Sequence, residues 1–128
     1  MKAQHTYLAD LHLDHKIWTR RMNFFKEEIE LFESYLGEVL DKNTSKDCAR
    51  SVEHFQNQFI RQKEVIDELN HDIKLKEEAL AKYANENPVA IDHKYFQPEP
   101  ILTDRYKTFE KIYHDLKEEY RLFLAKWM

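Results

Sequence analysis

The chain has 128 residues, 42% of them hydrophobic and 34% charged, which suits a soluble domain with a real core and excludes a disordered chain. The net charge is -4, from 24 acids against 20 bases. No block of like charge stands out, so a nucleic-acid or membrane surface, which needs a basic face, is disfavoured.

One glycine, Gly37, and three prolines are too few for the many turns of a sheet protein. The elements must therefore be few, long and helical. The opening stretch MKAQHTYLADLHLDHK carries charges and histidines where a signal peptide needs an apolar run. No segment approaches the roughly 20 apolar residues of a membrane span, and a lone cysteine, Cys48, rules out an intrachain disulfide framework. The expectation is a cytoplasmic protein, with residues 1–128 forming a single helical domain.

Leu8, Leu11, His15, Trp18, Met22, Phe25, Ile29, Phe32, Leu36 and Val39 recur at alternating spacings of three and four. That is a heptad seam, and it predicts helix 1 over about 6–41. Asn43-Thr44-Ser45 supplies the turn, with Thr44 or Ser45 accepting the first free amides of the next helix and Asp47 facing its positive end.

Helix 2 is predicted over about 46–84, on the seam Cys48, Val52, Phe55, Phe59, Gln62, Ile66, Leu69, Ile73, Lys76, Leu80 and Tyr83. Asn85-Glu86-Asn87-Pro88 ends it, because the ring of a proline disfavours helix at the residue before. A turn this short forces the two helices antiparallel.

Residues 86–103 read as a linker holding all three prolines, with VAIDHKYF, 89–96, apolar enough to lie against the bundle. Helix 3 is predicted over about 104–127 on Leu102, Tyr106, Phe109, Tyr113, Leu116, Tyr120, Phe123 and Trp127. The fold class is all-α: a long antiparallel helical hairpin plus a shorter third helix, a coiled-coil-like three-helix bundle.

If helix 3 folds straight back, it covers only the end of the hairpin near Leu8 and Tyr83. The tip around Leu31, Phe32, Tyr35, Phe55 and Phe59 then lacks a third wall. Helix 1 also has a second apolar stripe, Leu13, Ile17, Phe24, Leu31 and Tyr35. Apolar surface of that extent is seldom left bare, so a homo-oligomer is expected, two tips meeting as a larger bundle. The alternative is that the linker lets helix 3 slide along and cover the tip.

The histidines raise a second possibility. With positions 22 and 66 facing each other, His15 falls near Asp72, with Glu68 and His71 about a turn away and His114 and Glu110 brought up by helix 3. His12 lies beside His15. Imidazole nitrogen and carboxylate oxygen are the donors of zinc, iron and manganese sites, so His15, His71, His114, Glu68 and Asp72 are candidate ligands for a divalent transition metal. Their competing role is structural: polar seam residues, here His15, Gln62 and Lys76, fix register and partner number.

Glu68-Leu69-Asn70-His71 resembles by letter the Glu-x-x-His motif of ferritin-like di-iron proteins. That family needs a second copy, and helix 3 offers Glu110 to His114, one residue longer. Hemerythrin spacings are not reproduced as a set either, so the sequence is assigned to no family.

No serine sits in a nucleophile elbow, and a single glycine excludes a phosphate loop. Cys48 extends the seam and reads as a core residue. The expected function is non-enzymatic, self-association or binding of a partner helix, without nucleic acid, membrane or cofactor. The alternatives are the metal-binding bundle and a small-molecule pocket among Trp18, Phe109 and Tyr113.

Overall fold

The structure is a computed structural model and describes residues 6–86, 95–96 and 100–128. In chain order these are β1 (Thr6–Tyr7), α1 (Leu8–Lys42), α2 (Lys46–Glu86), β2 (Tyr95–Phe96) and α3 (Pro100–Trp127). The protein is all-α. Its two short strands form one antiparallel pair, Thr6 opposite Phe96 and Tyr7 opposite Tyr95.

The turn between α1 and α2 uses the residues the sequence offered. Ser45 Oγ accepts the amides of Asp47 at 3.2 Å and Cys48 at 3.4 Å, satisfying two of the free donors at the start of α2. Asn43 donates its Nδ2 to Val39 O at 2.8 Å, closing the end of α1, and also to Trp127 O at 3.1 Å.

The beginning of α3 departs from expectation. It starts at Pro100, inside the expected linker 86–103, rather than near 104. Proline lacks an N–H and has a fixed φ, which costs nothing in the first turn of a helix, where amides have no intrahelical acceptor. The helical end of α2, at Glu86, also falls within that linker. The rest of it, 87–94 and 97–99, lies outside the described residues, as does most of the stretch 89–96 expected to pack on the bundle.

Side-chain contacts show which parts of the helices lie side by side. Between α1 and α2, His12 meets Glu77, Asn23 meets Asn70, Lys26 meets Asp67 and Glu33 meets Lys63. Between α2 and α3, Asp72 meets Arg105 and His54 meets Glu119. Between α1 and α3, Trp18 meets Tyr106, Glu28 meets Tyr113 and Lys117, and Tyr120 donates to Phe32 O.

So α3 lies against the half of the molecule that ends at the α1–α2 turn. The expected bare tip is not bare. Phe55 and Phe59 are 3% and 0% exposed and pack on Tyr120, while Phe32 and Tyr35 sit against the same core. Only Leu31, 50% exposed, remains open among the five residues expected to associate there. Of the two positions weighed for helix 3, the structure has the one slid along to the tip.

The core follows the seams. Met22, Phe25, Ile29, Leu36 and Val39 of α1 meet Val52, Phe59, Ile66 and Leu69 of α2 and Tyr106, Tyr113 and Tyr120 of α3. It is rich in rings: Phe25 stacks on Tyr113 at 4.5 Å between centroids, and Phe55 lies 5.0 Å from Phe123. Such pairs add to the burial of apolar area. Cys48 is buried in this core as a free thiol.

Candidate functional site

The two polar side chains buried in the described core are His15 and Gln62, 2% and 5% exposed. Both are seam positions. His15 lies under Trp18, with ring centroids 5.6 Å apart, and lines a groove of about 540 Å³ between α1 and α2 together with Arg20, Asn23, Asn70, Lys74 and Glu77.

Glu77 is the acid that His15 meets, not Asp72. Ile73 lines the same groove as His15, while Asp72 beside it turns to Arg105. Glu77 Oε1 is 2.6 Å from His12 Nδ1 and 3.6 Å from His15 Nδ1. The first is a hydrogen bond; the second is too long for one. His15 Nδ1 and Asn70 Oδ1 are buried without a hydrogen-bond partner. Burial therefore pushes the His15 imidazole below its ordinary pKa, against the weaker opposing pull of Glu77.

The remaining candidate ligands are spread out. Asp72 Oδ2 accepts from Arg105 at 2.7 Å, and Glu68 Oε1 is 3.4 Å from Arg61 Nη1. His71 is exposed. His114 lies edge-on to Phe25 at 5.5 Å, level with the middle of α1. Glu110 accepts from Tyr106 and lies 3.5 Å from Arg21. His15, His71, His114, Glu68 and Asp72 thus do not converge, because α3 sits nearer the tip than a straight fold-back would put it. Among the described residues no three His, Cys, Asp or Glu side chains gather in a way that could hold a metal ion.

The aromatics considered for a pocket fill space instead. Phe109 and Tyr113 are 2% and 0% exposed, and Trp18 stacks on Tyr106 at 4.9 Å.

Two polar devices escaped the sequence reading. Glu28, mostly buried, accepts the Tyr113 hydroxyl at 2.7 Å and the Lys117 ammonium at 2.8 Å. Tyr120 donates to the backbone carbonyl of Phe32 at 2.7 Å. Burial raises the pKa of Tyr106, Tyr113 and Tyr120 well above the ordinary phenol value, so all three remain donors. A tyrosine on a buried seam demands an acceptor; that demand was the available signal for Glu28.

The outer surface of α1 carries the remaining feature. Leu13, Ile17, Phe24 and Leu31 are 54%, 37%, 56% and 50% exposed and fall on one side of the helix, away from the seam. No described helix is long and apolar enough to cross a membrane.

Compared with known proteins, the chain matches no family model, no curated protein and no solved structure.

Proposed function

We propose that this chain is a non-enzymatic, cytoplasmic, single-domain bundle whose role is assembly, with itself or with a helix of a partner protein. The opposed run of the α1–α2 and α2–α3 contacts supports reading the bundle as an antiparallel hairpin with the third helix returning along it. One observation carries the functional reading: the exposed apolar row on α1. Scattered exposed apolar residues are ordinary, but a row along one helix face is what a second helix covers. The surface of association moves accordingly, from the tip to the outer face of α1.

In this reading His15, Gln62 and Lys76 set register. The polar atoms left without partners on His15 and Gln62 weaken packing, and in return they disfavour slipped alignments of seams that otherwise repeat. Sedimentation velocity at micromolar concentration tests self-association: a species of twice the 15.7 kDa chain mass is expected, and a monomer at every concentration would remove it.

A second reading, a divalent transition metal between helices, retains one supporting observation: His12 and His15 both direct Nδ1 towards Glu77 Oε1. It requires further ligands. Elemental analysis of untagged protein decides it, since stoichiometric zinc, iron or manganese lost in His15→Ala would restore it.

A further inference from the structure

The apolar row on α1 is symmetric in sequence. Ile17 and Leu31 lie seven residues to either side of Phe24, and Leu13 and Tyr35 lie eleven. At 3.6 residues per turn, all five fall within about 20° of one line along the helix. Four are exposed, and Tyr35 is half-buried.

A row symmetric about its centre is matched by its own reverse. Turning a second copy by half a turn about an axis through Phe24 lays it antiparallel on the first. Phe24 then meets Phe24, Ile17 meets Leu31, and Leu13 meets Tyr35.

The flanking charges distinguish this arrangement from a parallel one. Arg20 and Glu27 border the row on one side, and Arg21 and Glu28 border it on the other. A two-fold axis keeps each side facing itself while reversing direction. Arg20 of one copy is then brought to Glu27 of the second, and Arg21 to Glu28. A parallel pair would set Arg20 beside Arg21 and Glu27 beside Glu28, like charge on like.

Arg21 and Glu28 already have contacts within the chain, with Glu110 and with Tyr113 and Lys117. Arg20 and Glu27 have none among the described residues. The same polarity extends beyond these four. From 16 to 26 α1 has four bases and no acid; from 27 to 41 it has six acids and no base.

We infer that α1 is a dimerisation helix and that its occupant is a second copy of this chain, docked antiparallel about a two-fold axis at Phe24. The inference rests on the assembly reading above and gives it a surface and a geometry. The interface is isologous, as in most two-fold dimers. Arg20–Glu27 contacts form twice at its edges, where complementary charge sets orientation.

Single cysteines at exposed row positions, joined by a short bis-maleimide, read the geometry directly. The parent chain, whose one thiol at Cys48 is buried, is the blank. Phe24→Cys links to itself. Ile17→Cys alone and Leu31→Cys alone do not, because each thiol lies about 21 Å along the axis from its copy; an equimolar mixture of the two does.

Ile17→Cys and Leu31→Cys each linking to itself, with no link in the mixture, means parallel pairing and overturns the inference. A dimer by sedimentation with none of these links places the interface elsewhere, which overturns the inference and leaves the assembly reading standing. A monomer at every concentration removes both. Independently, Arg20→Glu and Glu27→Arg should each weaken the dimer by about tenfold, and the double exchange should restore it. Failure of the double exchange to recover overturns the Arg20–Glu27 contact and the alignment with it.

Discussion

The two halves of this bundle solve the same problem differently. Towards the α1–α2 turn three helices meet, the core is a continuous set of rings, and the buried hydroxyls of Tyr106, Tyr113 and Tyr120 all have acceptors. Gln62 Oε1 is the exception there. His15 itself touches only α1 and α2 among the described residues, and two buried polar atoms, His15 Nδ1 and Asn70 Oδ1, lack partners. The aromatic half buries rings whose hydroxyls are satisfied; the polar half buries a nitrogen and an oxygen that are not.

The largest test of that contrast is Phe59→Ala. Phe59 is fully buried among Phe32, Phe55 and Tyr120, and its loss should cost about 3–5 kcal/mol in urea unfolding. Leu80→Ala, at the other end, should cost clearly less. Equal losses would erase the distinction between the halves.

His15→Leu should act in the opposite direction, raising stability by about 1 kcal/mol, because it removes a buried polar atom without a partner. It also sharpens the pH dependence. The folded imidazole has a pKa below the ordinary 6.5, so on acidification through 6.5 the unfolded chain takes up a proton first. Stability therefore falls from about 6.5 down to the folded pKa and then levels. Melting temperatures of the variant and its parent should diverge through that window and hold a constant gap above it. A constant gap at every pH would show that His15 titrates normally.

Tyr113→Phe should cost about 1 kcal/mol, one hydrogen bond to a carboxylate that keeps Lys117. Smallest is Asp67→Asn, which breaks an exposed pair with Lys26. It should cost well under about 1 kcal/mol, and a larger loss would mean that the surface pairs help hold the alignment.

The seams were legible because burial on a helix recurs every 3.6 residues, and Leu11, Met22, Ile29, Phe59, Ile66 and Tyr113 all obey it. Which acid reaches His15 was not. Seam spacing tells which residues are buried but not which way an acid at the seam's edge turns: Asp72 pairs with Arg105, and Glu77 reaches His12 and His15. Nor was the level of α3 legible: a connection of that length leaves it free to settle at more than one height along α1 and α2. Both carried into the site. Once α3 moves to the tip, His114 and Glu110 leave the neighbourhood of His15, and the five candidate ligands separate.

The tip brings together the carbonyl ends of α1 and α3, bridged by Asn43. Each helix end carries roughly half an elementary charge, negative at the carbonyl end, and only one of the two is balanced by the start of α2. The side chains of α1, basic in its earlier part and acidic in its later part, add in the same sense. One copy is therefore an electrically polarised rod that turns in an applied field. Two copies related by a two-fold axis cancel that polarisation along the rod, so transient electric birefringence should register the pairing as a loss of permanent dipole.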